Sequence, residues 1–274
     1  AGFSWGTILG TMVSFALFGI TFAMPQYFLD VRGLDSLASG LRLLGLIAGL
    51  VVGLVAGQRL QTPRQASGDK PARAPVASVK ILAGCGFAIM AVALAIGTGT
   101  GVTSSTWFIL GWFAATGLGL GLAMPTALNA ALGALSPERS GSGSGLMRAI
   151  QQVGATVGVA VLGTVLDSVY RSKLALAGLP HAAAQAARSS LAGGVAAARA
   201  LHSPTLLGSV HSAYASGVDV MLWVSVAIAA AATLLAVAFL PRAQRASATG
   251  GPAGGTVAPA IDDEAATSQA VRAE

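Results

Sequence analysis

Arg148, Gln152, Thr156, Gly163 and Asp167 lie in a long run, residues 143–169, that is otherwise dominated by apolar side chains. Placed on a helix at about 100° per residue, the five share roughly a third of the circumference. A polar stripe along a membrane-length helix points to a water-filled cavity or a bundle interior, because ionisable groups are expensive in lipid. Arg148 and Asp167 stand near opposite ends of the run, so both could instead snorkel to the interfaces. Asp167 also precedes Arg171 by one helical turn, which suits a solvated ion pair. Gln26 and Asn129 each follow a proline inside an apolar run and are candidates to line the same path; singly, each also suits helix–helix glue. Asp30 closes the first apolar run. Arg42, about 9 Å into the second if Ser36 caps it, could reach headgroups or pair with Asp30 or Asp35.

Other chemistries are poorly supplied. A single cysteine, Cys85, excludes an internal disulfide and paired-cysteine metal sites. His181, His202 and His211 lack metal-ligand spacing and are assigned nothing. The segment 136–145, SPERSGSGSG, has no GxxxxGK[ST] pattern and follows no strand, so it is not read as a phosphate loop. It reads better as Ser136 capping a turn, Pro137 in first position, and glycines launching a span. No cofactor and no metal are expected.

The elements that must position these residues follow from composition. Of 274 residues 54% are hydrophobic and 9% charged, against about 25% charged in ordinary soluble domains. Residues 81–137 carry no Asp, Glu, Lys or Arg between them. That excludes a soluble enzyme and a disordered chain, and the continuous apolar runs exclude alternating barrel strands. The expected fold is all-α and polytopic. About 20 apolar residues cross a hydrocarbon core of about 30 Å, which yields six spans at 3–29, 36–57, 79–97, 106–128, 143–169 and 217–240. Spans three and six lack a polar stripe, as peripheral lipid-facing helices would. Residues 58–78 read as a basic connector, 98–105 as a short turn and 170–216 as an external loop with short surface helices. Residues 241–274 read as a disordered tail.

Orientation follows the Lys/Arg balance. With both ends cytoplasmic, inner segments hold nine of the sixteen Lys and Arg residues and outer segments five. The net charge of +6 then reports basic cytoplasmic loops of a cell-membrane protein rather than nucleic-acid binding. Phe22-Ala23-Met24-Pro25 returns as Leu122-Ala123-Met124-Pro125, each near the end of the first span in a group of three. Three spans per group is odd, so the groups would run inverted. Gly45, Gly49, Gly53 and Gly57 form overlapping GxxxG units on one face of span two, and Gly154 with Gly158 repeats the spacing in span five; these are packing signals.

Several stretches resemble the fourteen-span drug–proton antiporters of the major facilitator superfamily. They are Pro25-Gln26-Tyr27-Phe28 with Val31-Arg32-Gly33, and Ala38-Ser39-Gly40-Leu41-Arg42-Leu43-Leu44. Gly117 to Gly121 with Met124-Pro125, Glu138-Arg139-Ser140-Gly141, Gln152-Val153-Gly154 and Gly158 to Val165 are similar too. The resemblance implies the C-terminal six-helix half of a multidrug efflux transporter, with a further N-terminal half as partner in the bilayer. It implies export of small hydrophobic or cationic compounds in exchange for protons by alternating access, with Asp167 and Asp30 as proton carriers. Arg148, Gln152, Thr156, Gln26 and Asn129 would then line the substrate cavity. Asp30 stands where family members commonly have Gln, and Gly45 where they commonly have Pro. Export of a specific metabolite or lipid on the same fold, or a non-transporting scaffold or truncated half, are the alternatives.

Overall fold

In hydrocarbon no water is present to satisfy main-chain N–H and C=O groups, and a helix satisfies them segment by segment. The computed structural model describes residues 2–61, 79–132 and 137–239, and helices account for nearly all of them, with no strand among the described residues. The elements are α1 (Gly2–Gln26), a π-helical turn (Tyr27–Val31), α2 (Ser36–Gln61), α3 (Val79–Gly97), α4 (Thr106–Leu132), α5 (Pro137–Lys173), α6 (His181–Ser189), α7 (Leu191–Ala200) and α8 (Pro204–Phe239). Six spans are long and apolar enough to cross a membrane: α1 with the π-helical turn, α2, α3, α4, α5 and α8. The protein is an all-α polytopic membrane protein. Four buried hydroxyls are satisfied within their own helices: Ser14, Thr116, Thr126 and Ser225 each donate to the carbonyl four residues back.

α2 packs along α4, α5 along α1, and α3 against both α4 and α8. Small residues permit these approaches. A Cβ on Gly86 would stand 2.8 Å from the Gly119 carbonyl oxygen, and one on Gly158 2.5 Å from that of Phe15. The four glycines of α2 are not equivalent. Gly49 and Gly53 lie directly on the α4 main chain at Ala114 and Leu118, whereas a Cβ on Gly57 would make ordinary contacts, with Leu122 Cδ2 at 3.6 Å and the Gly121 carbonyl oxygen at 3.9 Å. Gly154 abuts Thr11 of α1.

Half of the apolar window of α3 is buried among the described helices, against 22% in α2 and in α5. Its close glycine contacts and two helical neighbours cover it, while α2 and α5 each leave a long face open. The sixth span starts at Pro204 rather than 217. Ser203 is its cap, accepting from Leu206 N–H at 3.3 Å, with Pro204 in the first position where its missing N–H costs nothing. The segment 170–216 is therefore largely helix, and α7 buries Leu191, Val195 and Ala198 instead of floating on a surface. Arg42 pairs with neither Asp30 nor Asp35; it donates to Thr106 Oγ1 at 3.2 Å and to the Ala38 carbonyl at 3.1 Å. Asp35, not Ser36, caps α2, accepting from Ala38 N–H at 2.7 Å. The 58–78 connector beyond Gln61, Ser136 and the 241–274 tail lie outside the described residues.

The end of α1 anchors its neighbours. Pro25 supplies no N–H, so the helical ladder is interrupted there, and the chain widens into the π-helical turn. Gly33 then takes a left-handed φ of 63°, which turns the chain toward α2. Tyr27 donates its hydroxyl to the Gly101 carbonyl at 2.7 Å. Arg32 donates to the carbonyls of Val102 and Ser104 at 2.9 and 2.7 Å, holding the 98–105 turn between α3 and α4. Hydrogen bonds from a charged donor contribute about 1.5–3 kcal/mol each when shielded. Because these are partly exposed, Arg32→Ala is expected to cost about 2 kcal/mol in all. Thermal unfolding of the purified protein would show it, with faster amide exchange confined to residues 98–105. Unchanged exchange there would mean that Arg32 holds nothing.

Candidate functional site

One face of α5 is committed to α1 through Gly154, Gly158 and Leu162, the last filling the space beside Gly19. The polar stripe is therefore turned elsewhere. Arg148, Gln152 and Thr156 are exposed, and Gly163 and Asp167 are half-exposed. The stripe lies on an exposed face of the bundle, not in the interior of the six helices. Thr156 and Thr164 donate to carbonyls of their own helix, at 3.1 and 2.7 Å, which leaves the Gln152 amide as the polar group presented outward at mid-helix.

Two cavities open on this side of the molecule. One, of about 460 Å³, lies among α1, α5, α8 and the elbow between α6 and α7; Gln26, Gly163, Asp167, Tyr170, Ser190 and Tyr214 are among its walls. The other, of about 350 Å³, lies between α4 and α5 toward the opposite end of the stripe, with Met124, Ser144, Arg148 and Gln151 on it. A notch of about 390 Å³ beside Thr7, Thr11 and Ile150 is almost wholly apolar. Cavities of about 300–1,000 Å³ are the size that holds drug-like ligands.

The residues expected from sequence are thus divided. Gln26, Gly163 and Asp167 come together in the first cavity, and Arg148 stands on the second. Gln152 and Thr156 lie on the exposed face between them, while Asn129 is exposed at the end of α4 and borders neither cavity. Asp167 is paired with Arg171 at 2.9 Å, with 44% and 54% of the side chains exposed. That is the solvated pair anticipated from the i,i+4 spacing, and an exposed pair of this kind contributes about 0–1 kcal/mol.

Asp30 is placed differently. It sits in the π-helical turn, half-buried, and forms no salt bridge among the described residues. His211 and Tyr214 of α8 lie within reach of its charge, and Arg199 of α7 within reach of His211. His211 has a fully buried Nε2 without a hydrogen-bond partner. Sequence reasoning left His211, Tyr170 and Tyr214 unassigned because 170–216 was read as loop. The signal was available in Ser203-Pro204, the same cap-and-proline pair read at Ser136-Pro137. It starts α8 early enough to put His211 and Tyr214 on a membrane-length helix.

No family model matches the chain. It is 31% identical over 245 residues to the tetracenomycin C resistance and export protein of Streptomyces glaucescens, covering 85% of this chain and 43% of that protein. It is 29% identical over 239 residues to the multidrug efflux pump LfrA of Mycolicibacterium smegmatis, covering 85% and 45%. With the methylenomycin A resistance protein of Streptomyces coelicolor the identity is 29% over 169 residues, covering 61% and 32%. The chain spans less than half the length of each of these relatives.

Proposed function

We propose that this chain is the C-terminal six-helix half of a fourteen-span drug–proton antiporter of the major facilitator superfamily, in the cell membrane with both ends cytoplasmic. It exports small hydrophobic compounds in exchange for protons by alternating access. The observation that carries this reading is the exposed polar stripe on α5. Six apolar helices leave a polar stripe and two ligand-sized cavities on one side, as one wall of a site completed by a second half would. The export and efflux proteins that align with 85% of the chain support it.

Two further features agree. Exchanging α1, α2 and α3 for α4, α5 and α8 turns the α2–α4 contact into α5–α1 and returns α3–α8 to itself, as inverted repeats would, while the α5–α8 packing has no comparable α2–α3 image. The open face of α2 exposes Ile47, Val51 and Val55, and α5 exposes Val153, Val157 and Val161 beside its polar stripe, which suits burial against the partner half. Gln26, Arg148, Gln152 and Thr156 line the substrate path, with Asn129 at its margin. Asp30 and Asp167 are the two candidates for proton carrier in this half, and Asp30 ranks first because Arg171 already balances the charge of Asp167.

Full-length gene product in everted vesicles tests this. Dye added outside should accumulate in the lumen against its gradient when the lumen is acidified, and the isolated segment should move none. Dye transport by the segment alone would overturn the half-transporter reading. Absence of transport by the full-length protein across a panel of hydrophobic drugs would overturn export of such compounds.

A further inference from the structure

We propose that the end of the bundle where α2 and α4 begin holds the phosphate of an anionic phospholipid on Arg42, in the field of Arg32, with an acyl chain lying in the seam between the two helices. The site is set apart from α1 and does not depend on what the chain exports.

Two arginines meet one short stretch of chain, residues 102–106. Arg42 reaches from the second turn of α2 and donates to Thr106 Oγ1 at 3.2 Å and to the Ala38 carbonyl at 3.1 Å. Arg32 donates to the Val102 and Ser104 carbonyls at 2.9 and 2.7 Å. These acceptors are all neutral, and among the described residues neither guanidinium forms a salt bridge. The Arg42 Nε is buried without an acceptor, while the side chain as a whole stays half-exposed. Asp35 is committed to the α2 cap through Ala38 N–H at 2.7 Å, and Asp30 lies toward His211 and Tyr214 of α8. Two cations against the Asp35 carboxylate leave one positive charge in excess, which matches one phosphodiester. The start of α4 adds to it, because the N–H groups of a first turn have no acceptor within the helix. The planar guanidinium fork suits phosphate oxygens in particular.

What lies beneath the arginines selects a lipid. Ser36 and Thr106 each open a membrane-length apolar span, so the guanidiniums stand at the level of the headgroups. Trp107, in the first turn of α4, is 82% exposed, at the interfacial depth that tryptophan favours. Gly45, Gly49 and Gly53 meet Leu110, Ala114 and Leu118 in step, so α2 and α4 run parallel. Helical period places Leu41, Ala48 and Val52 on one flank of that contact on α2, and Trp107 and Gly111 on the flank of opposite hand on α4. In parallel helices those two flanks face the same way, and all five residues are exposed. A Cβ on Gly111 would meet nothing within 4 Å, which leaves width for an acyl chain. Phe113, which packs on Phe28, is on the other side of α4, so the seam faces away from α1. A soluble anion would use the arginines but neither Trp107 nor the seam.

Full-length protein reconstituted in vesicles provides the test, since a brominated acyl chain quenches a tryptophan that it touches. Quenching by phosphatidylglycerol brominated on its chains is compared with quenching by brominated phosphatidylcholine. The Trp107 signal is the difference between the parent protein and Trp107→Phe, and a Trp223 signal is obtained likewise from Trp223→Phe. Both side chains are exposed, Trp223 by 55% on α8, so neither substitution disturbs the core. Trp107 should favour phosphatidylglycerol about fivefold, the effect of about one interfacial arginine, and Trp223 should favour neither lipid. Arg42→Gln should remove the preference, whereas Asp35→Asn, which keeps a capping side chain, should raise it. Excess inorganic phosphate should leave it unchanged. An equal preference at Trp223, a preference retained in Arg42→Gln, or displacement by inorganic phosphate would overturn the site. So would a fall in both variants, which is the mark of lost packing rather than of charge.

Discussion

Gly117→Leu and Gly49→Leu are expected to leave no monodisperse folded protein, while Gly111→Leu, on the same α4 helix, leaves yield and stability unchanged. A Cβ on Gly117 would fall on the Leu46 carbonyl, with Leu50 N at 2.8 Å; a Cβ on Gly49 would fall on the Ala114 carbonyl. Both obstacles are main chain, which cannot rotate aside as a side chain can. In lipid the helices are held by close packing rather than by exclusion of water, so forcing α2 from α4 removes the force that joins them. Ordinary overpacking costs about 1–3 kcal/mol. Separating two backbones costs more, against a total stability of about 5–15 kcal/mol. The series is graded: Gly45→Ala, whose Cβ would meet Leu110 Cδ2 at 3.1 Å, should be mildly damaging, and Gly57→Ala, at 3.6 Å from Leu122 Cδ2, should be tolerated. Size-exclusion profiles and denaturant titration of detergent-purified variants give the ranking. Equal damage from Gly111→Leu, where a Cβ meets nothing within 4 Å, would disprove the packing account.

Asp30→Asn in the full-length protein is the second large effect expected. Proton-driven efflux should fall by about tenfold or more, the loss for a group contributing at least about 1.4 kcal/mol to coupling. Exchange of substrate between two equal pools, which needs no net proton movement, should persist. The reason is placement: Asp30 lacks a salt-bridge partner among the described residues and sits beside His211 and Tyr214 in a half-buried turn, whereas the Asp167 charge is already balanced. His211→Gln should shift the pH dependence of efflux without abolishing exchange, because the imidazole is the only neighbouring side chain in this group that ordinarily titrates near neutrality. Groups facing it are Asp30 from the π-helical turn, Arg199 from α7 and Tyr214 one turn along α8. Asp167→Asn should change efflux less than twofold, the scale of an exposed ion pair of about 0–0.5 kcal/mol. A full loss in Asp167→Asn with normal efflux in Asp30→Asn would reverse the ranking.

What the sequence determined by itself is what depends on local composition and period. Long runs without charge require membrane-length helices, since nothing else satisfies the backbone in lipid. The 3.6-residue period is enough to put Arg148, Gln152, Thr156, Gly163 and Asp167 on one face of α5, and the Asp167–Arg171 pair follows from one turn of spacing. The small-residue face of α2 was likewise legible. The early start of α8 was also written locally, in Ser203-Pro204, and was overlooked because an Ala-rich segment resembles a surface loop.

Only the tertiary structure decided which side of each helix another helix covers. Period places residues on a common face, but whether that face looks inward or outward depends on the neighbour, and α5 spends its glycine face on α1. The same GxxxG spacing gave main-chain contact at Gly49 and slack at Gly57, because two straight helices that cross at an angle touch closely over a limited length. Tyr170 and Tyr214 acquired hydrogen-bond partners 17 and 191 residues away in sequence only when α6 and α8 folded back against α5 and α1. No local pattern encodes such distances; they are set by which helices pack together.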